Sequence, residues 1–157
     1  IMGENILAII LSGVPKAPDK LNQLRHARMF RTVEDIEKHM KRHAAILRPK
    51  FETVEKELQN QLSGTGIARW TTPRGGYFIS LYVLEGCAKR VEQLCANAGM
   101  ILTPAGATYP YGNDPKDSNI RIAPSYPSVE EIEKASEVLA LAVRYAALEK
   151  LLADKEN

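Results

Sequence analysis

An apolar stripe between residues 33 and 62 constrains the fold more than any other feature of the sequence. Nine apolar side chains recur there at steps of three and four residues: Val33, Ile36, Met40, Ala44, Leu47, Phe51, Val54, Leu58 and Leu62. This spacing places all nine on one face of an α-helix. Thr32 and Asp35 have the spacing of a capping box at its start. Pro49 should bend the helix without changing its buried side. The sequence therefore predicts one long, kinked, amphipathic helix.

The hydrophobic period changes after residue 66. Short runs rich in β-branched and aromatic residues predict strands at 68–70, 77–83, 100–102 and 120–123. Helical spacing is found at 19–30 and 86–98, and in a C-terminal helix that Ser128 and Glu131 cap. This order of elements predicts an α+β domain, in which helices cover a small sheet of about four strands.

The length, net charge and cysteine spacing of the chain limit the kinds of protein to which it can belong. A chain of 157 residues can bury the core of one domain, and its net charge of +2 is too small to indicate nucleic acid or an anionic membrane as a partner. The apolar run at residues 6–11 is too short to span a bilayer. Cys87 and Cys95 lie on one predicted helix, about 12 Å apart, which is too far for a disulfide. We therefore expect buried free thiols and a soluble, cytoplasmic protein.

Other polar residues of the sequence do not have the pattern of a functional site. His39 and His43 share a helix face, but no third ligand accompanies them, so no metal site is predicted. The basic segment around them is interrupted by acidic residues and contains no interleaved aromatic residues, which argues against nucleic-acid binding. Asp114, Lys116 and Asp117 are expected to be solvated turn residues. No complete set of catalytic residues can be assembled from the sequence.

Arg121 is the strongest candidate for a binding residue. It lies between Ile120 and Ile122 in a short predicted strand, directly after a long loop rich in glycine and proline. A charged side chain in such an apolar run is costly unless an anion meets it, and a guanidinium suits bidentate pairing with a carboxylate. The alternative is a strand residue that points to the solvated face, which strand alternation also permits.

Four segments together resemble a known family. The segments are PDKLNQLRHARMF (18–30), PRGGYFISLYV (73–83), AGMILTPAGATYPYG (98–112) and SNIRIAPSYPSVEEIEKASEVL (118–139). In this order they resemble the C-terminal small domain of class I/II, fold type I, pyridoxal-phosphate-dependent aminotransferases, and in particular the aspartate-aminotransferase-like subgroup. The resemblance extends over residues 4–152.

The resemblance implies that this chain is one domain of a longer enzyme whose cofactor-binding residues lie in another domain. Residues 19–157 would form the small domain, and residues 1–18 would connect it to a large domain. The family's Schiff-base lysine, phosphate-binding residues and pyridine-nitrogen aspartate belong to that large domain. Lys16 lacks the sequence context of the lysine, so this chain is expected to contribute no catalytic, cofactor-binding or metal-binding residue and to be inactive alone. In the family, the arginine at the position of Arg121 binds the substrate's α-carboxylate.

The resemblance also implies the properties of the intact enzyme. It would be a cytoplasmic homodimer that uses pyridoxal 5'-phosphate to transfer an amino group between an amino acid, with aspartate favoured, and a 2-oxo acid. Nucleic acid and membranes are not expected as partners of this domain. Two alternatives remain open: a ligand-sensing domain of a winged-helix transcriptional regulator, and an independent ligand-binding or interaction domain.

Overall fold

The computed structural model describes residues 19–156. Its elements are α1 (Lys20–Met29), α2 (Val33–Leu62), β1 (Ala68–Trp70), β2 (Ile79–Val83), α3 (Ala88–Asn97), β3 (Asn119–Ile122) and α4 (Val129–Glu156), with a short 3-10 turn at Pro110–Gly112. The predicted α+β class is confirmed. The chain divides into two compact units, residues 1–43 and 44–157, with the division inside α2. The predicted connecting segment 1–18 lies outside the described residues.

In the first unit, the helix ends are fixed by local hydrogen bonds. Oδ1 of Asp19 accepts a hydrogen bond of 3.0 Å from the backbone N–H of Asn22 at the start of α1. The capping box before α2 is confirmed, since the Thr32 N–H donates to Asp35 Oδ2 and the Asp35 N–H donates to Thr32 Oγ1, each at 3.2 Å. Every residue of α1 is exposed, and so are the first three members of the apolar stripe of α2.

In the second unit, the sheet has the order β1-β2-β3 and is antiparallel throughout. Leu81 of β2 pairs with Trp70 of β1 and with Ile120 of β3. One face of the sheet packs with the helices in a single hydrophobic core. The largest buried side chains of this core are those of Val54, Leu58, Leu62, Ile79, Leu81, Val91, Cys95, Ile120 and Val143. The last three members of the predicted stripe of α2, Val54, Leu58 and Leu62, are thus buried as expected, and Phe51 is half-buried against the core. The chain continues as helix through Pro49, and the bend predicted there stays a prediction.

The predicted fourth strand is absent from the described residues. Residues 100–102 form no ladder, because the N–H of Met100 donates to the carbonyl of Cys95 at the end of α3 (2.9 Å) and Ile101 is 93% exposed. A run of three apolar residues therefore indicated a strand where the chain instead closes a helix. Among residues 19–156, β3 therefore has one strand neighbour, β2, and a free edge on its other side.

Both cysteines are free and buried, as predicted. Cys87 lies just before α3 rather than within it, and Cys95 lies inside the helix. Burial raises the pKa of the Cys95 thiol to about 11, so this sulfur stays protonated at neutral pH. Within residues 19–156, no helix combines the length and the hydropathy that a membrane span requires.

Candidate functional site

The second face of the sheet is polar and carries two arginines. Side chains alternate along a strand, so Ser80 and Tyr82 lie opposite the core-facing residues of β2. The strand register pairs Ser80 with Arg121, and it pairs Tyr82 with Arg69 on one side and Asn119 on the other. These five residues therefore share one face. The structure places Arg121 on this open face, while its neighbours Ile120 and Ile122 enter the core.

Arg121 lies against an aromatic ring, and its Nε has no hydrogen-bond acceptor in the described part of the chain. Its Cζ lies 4.4 Å from the centroid of the Phe78 ring. Among residues 19–156, its Nε is the one buried side-chain nitrogen or oxygen that has no hydrogen-bond partner. Leaving a buried donor unsatisfied costs about 1–3 kcal/mol, and more for a charged group. The buried Nε–H is thus available for an acceptor that the described part of the chain does not supply.

A small cleft adjoins the free edge of β3. Residues 121–124 line one side of it and residues 100–103 line another, while Val54, Ile132 and Leu139 contribute apolar side chains from the helices. Its volume is about 170 Å³. Pockets that enclose small-molecule ligands measure about 300–1,000 Å³. The cleft is therefore too small to enclose a ligand without a further surface.

Two side-chain hydrogen bonds and one close backbone approach restrain the loop that leads from the cleft to β3. Oε2 of Glu92 in α3 accepts a hydrogen bond of 2.7 Å from the N–H of Ala105. The hydroxyl of Thr108 donates to Oδ1 of Asn119 in β3. Gly106 has φ +85°, and a Cβ there would lie 2.4 Å from the carbonyl oxygen of Gly112, so this position requires glycine. These contacts hold the loop to α3 and to β3, the strand that carries Arg121.

The expectation that Asp114 is solvated was wrong. The residue is 9% exposed, and its carboxylate accepts backbone hydrogen bonds from Lys116 (3.0 Å), Ser118 (2.8 Å) and Asn119 (2.9 Å). Burial alone would raise the pKa of Asp114, but the hydrogen bonds outweigh it and hold the pKa below its usual value. The signal that sequence reasoning missed is an aspartate before a turn, whose side chain can bind the N–H groups that follow.

Lys116 and Asp117, the other two residues expected to be solvated, differ from each other in exposure and contacts. Lys116 is exposed and forms an ion pair with Glu85, as a solvated turn residue can. Asp117 is half-buried, and its Oδ1 accepts a hydrogen bond of 3.1 Å from the N–H of Lys89 in the first turn of α3. It therefore helps to cap that helix, which the sequence did not reveal.

The two histidines of α2 do not form a metal centre. The rings of His39 and His43 lie 4.4 Å apart, and the His39 ring also contacts Phe30 at 5.0 Å. The described part of the chain contains no group of three or more histidine, cysteine, aspartate or glutamate side chains that could hold a metal ion. Lys16 lies outside the described residues.

The residues in 19–156 do not fit pyridoxal phosphate as a resident group. Such a site needs a shielded lysine for the imine and a cradle of donors for the phosphate. Lys50 is half-buried, and it donates to the carbonyls of Ser125 (2.8 Å) and Tyr126 (3.3 Å). Lys150 is paired with Asp154 at 3.6 Å, and the other lysines of this range are exposed.

The fold and the sequence together identify the family. The small antiparallel sheet with its covering helices agrees with the α+β fold that the sequence predicted. Residues 10–155 match the profile of the aspartate amino-transferase family, and the chain belongs to that family.

Individual relatives agree with this assignment. The chain is 49% identical over 132 residues to an aspartate aminotransferase of Corynebacterium glutamicum. The aligned segment covers 84% of this chain and 31% of that protein. The crystal structure of an aspartate transaminase from the same species superposes with a TM-score of 0.81 at 48% identity, over 85% of this chain and 32% of the other. An α-aminoadipate aminotransferase from Thermus thermophilus shares the fold, with a TM-score of 0.62 at 18% identity over 73% of this chain and 29% of the other. The chain spans about a third of the length of the curated relatives it matches.

Proposed function

We propose that this chain is the small domain of a pyridoxal-phosphate-dependent aminotransferase, in which Arg121 binds the α-carboxylate of the substrates. The observation that carries the proposal is the buried Nε of Arg121, which has no acceptor among the described residues. Residues 1–18 would connect the domain to a large domain that holds the cofactor. The reaction would move an amino group between an amino acid and a 2-oxo acid.

The contribution of Arg121 is binding and orientation. A guanidinium presents two parallel N–H groups to the two oxygens of a carboxylate, so the pair fixes the direction of the carboxylate as well as its place. Fixing the carboxylate also fixes the bonds at the adjacent α-carbon, where the chemistry occurs. Pyridoxal phosphate, held elsewhere in the enzyme, supplies the electron sink for that chemistry.

Two features of the site support this role. The Phe78 ring, 4.4 Å from the guanidinium, favours one orientation of the cation and shields it from water. The adjoining cleft is too small to enclose a ligand, which agrees with a site that another domain completes. Closure of such a site excludes water and strengthens the ion pair.

The substrate class and the assembly are finer proposals. Aspartate and 2-oxoglutarate are favoured because the similar protein of C. glutamicum is named an aspartate aminotransferase. We propose a homodimer, since the first unit carries exposed apolar side chains such as Val33 and Met40. Buried free thiols agree with a cytoplasmic location.

The test compares two arginines of the same sheet face in the intact enzyme. Arg121→Lys keeps the charge and loses the bidentate fork, which should cost about 1.5–3 kcal/mol, or roughly 10- to 150-fold in kcat/KM. Arg69→Lys is the matched control, because Arg69 also stacks on a ring, that of Tyr82 at 4.0 Å, but is exposed. It should leave kcat/KM near the wild-type value.

The absorbance spectrum of the bound cofactor should be unchanged in both variants, since neither arginine is proposed to contact the ring. A wild-type kcat/KM for Arg121→Lys, with only a lowered Tm, would refute the assignment of Arg121.

A further inference from the structure

We infer that Asp114 is a positioning residue for Arg121: its carboxylate fixes the start of β3 and so keeps the guanidinium on the open face of the sheet. The inference rests on the proposed function of Arg121. Asp114 lies seven residues before Arg121 in sequence and belongs to the turn that precedes β3.

The first step is the unusual position of β3 in the sheet. On one side it pairs with β2, and the N–H of Val83 donates to the carbonyl of Ser118 at 2.8 Å. On the other side, no strand of the described chain pairs with it. Where β3 begins, Oδ2 of Asp114 accepts hydrogen bonds from both Ser118 N–H (2.8 Å) and Asn119 N–H (2.9 Å). The carboxylate thus binds the last residue before β3 and the first residue of the strand.

The second step connects this contact to Arg121. Asn119 and Arg121 are two residues apart in the strand and share a face. A slip of β3 by one residue would turn every side chain to the opposite face and send Arg121 into the core. Asn119 is 2% exposed and also accepts the Thr108 hydroxyl, so the Asp114 contact acts on a residue that is itself enclosed. Holding Asn119 therefore holds the register on which the direction of Arg121 depends.

The third step is that the contact is built for an ionised carboxylate. Asp114 is 9% exposed and accepts a third backbone hydrogen bond, from Lys116 at 3.0 Å. Asparagine at this position would keep one acceptor oxygen but would turn an NH2 group toward one of these donors. The change Asp114→Asn therefore keeps the shape of the side chain and damages the contact.

Asp117 provides a matched control in the same turn. Its Oδ1 accepts from Lys89 at the start of α3, and no side-chain contact joins it to β3 in the described residues. Asp117→Asn removes the same charge from the same loop, and asparagine tolerates the positive φ of 43° at this position. A general effect of charge or loop stability should appear in both variants, whereas an effect on Arg121 should appear only in Asp114→Asn.

The experiment is a double-mutant cycle in the intact enzyme, with kcat/KM for the amino-acid substrate as the readout. We expect Asp114→Asn to lower kcat/KM about tenfold, mainly through KM, and Asp117→Asn to stay within about twofold of wild type. In the double variant Asp114→Asn/Arg121→Lys, kcat/KM should fall little below that of Arg121→Lys alone, because both changes affect the same contact. Multiplicative losses, or equal losses in the two aspartate variants, would overturn the inference.

The outcomes separate this inference from the proposed function. If Arg121→Lys has wild-type kinetics, the proposed function fails. If Arg121→Lys is impaired while Asp114→Asn has wild-type kinetics, only the role of Asp114 fails.

If Asp114→Asn does not fold, an acid titration of the wild-type 157-residue chain by NMR supplies the test. The chemical shift of the Arg121 Nε–H should change with pH, and the midpoint of that change should equal the midpoint for protonation of the Asp114 carboxylate. Other ionisable groups near the turn include Lys116, its partner Glu85, Tyr109 and Asp117. The titration of Asp117→Asn identifies the contribution of that residue. An Arg121 resonance that does not follow the Asp114 midpoint would overturn the inference.

Discussion

The two parts of α2 carry the same apolar stripe but differ in burial. In residues 44–62, the stripe members Val54, Leu58 and Leu62 are at most 1% exposed, whereas Leu47 and Phe51 are half-buried and Ala44 is exposed. In residues 33–43, the corresponding members Val33, Ile36 and Met40 are 67%, 43% and 63% exposed. Helical amphipathicity therefore identified the buried face of the C-terminal part of α2, but it did not reveal that the same face is exposed in the N-terminal part.

The difference follows from what each unit contains. In the second unit, the sheet, α3 and α4 supply apolar side chains that join the stripe of α2 in one core. In the first unit, the described residues of α1 are all exposed, and none of them covers the stripe. In the proposed intact enzyme, this exposed part of the stripe is available to the rest of the protein.

The largest effect is expected from Leu58→Ala in the buried part. Leu58 is 0% exposed, so the change removes buried methyl groups and leaves a cavity. We expect the free energy of unfolding of the chain to fall by about 2–5 kcal/mol, as measured by urea denaturation. Leu58→Met, which nearly conserves volume, should cost less than about 1.5 kcal/mol. A loss below about 1 kcal/mol for Leu58→Ala would show that the buried part of the stripe is not packed.

A much smaller effect is expected from Met40→Ala in the exposed part. Met40 is 63% exposed, so little apolar surface leaves or enters water when it is truncated. In the isolated chain, the free energy of unfolding should change by no more than about 0.5 kcal/mol in the same urea experiment. A loss above about 2 kcal/mol would abolish the contrast between the two parts, because it would mean that the 33–43 stripe is packed in solution.

Features determined by local sequence were predicted well. The capping box of Ser128 and Glu131 is present, with the Ser128 N–H donating to Glu131 Oε2 at 2.7 Å and the Glu131 N–H donating to Ser128 Oγ at 3.2 Å. Such motifs depend on residues three apart and need no tertiary partner. A strand depends on its neighbour, which is why the apolar run at 100–102 gave a wrong prediction.

The candidate site was predictable in part for the same reason. Strand alternation allowed Arg121 to face away from Ile120 and Ile122, and the structure shows that it does. Its contact with Phe78 depends on the pairing of β2 with β3, which only the fold reveals. The burial of Asp114 was missed because the loop around it is polar in composition. Only the folded turn brings three N–H groups to its carboxylate.

The central claim is a direct contact between Arg121 and the substrate's α-carboxylate, and the most direct test is a cycle that changes each partner. The dissociation constants of aspartate and of its α-amide are measured for the intact wild-type enzyme and for Arg121→Lys. The wild type should prefer aspartate, and the variant should lose about 1.5–3 kcal/mol of that preference, because the lysine cannot form the bidentate pair. If the two enzymes discriminate equally between the carboxylate and the amide, Arg121 does not bind that carboxylate.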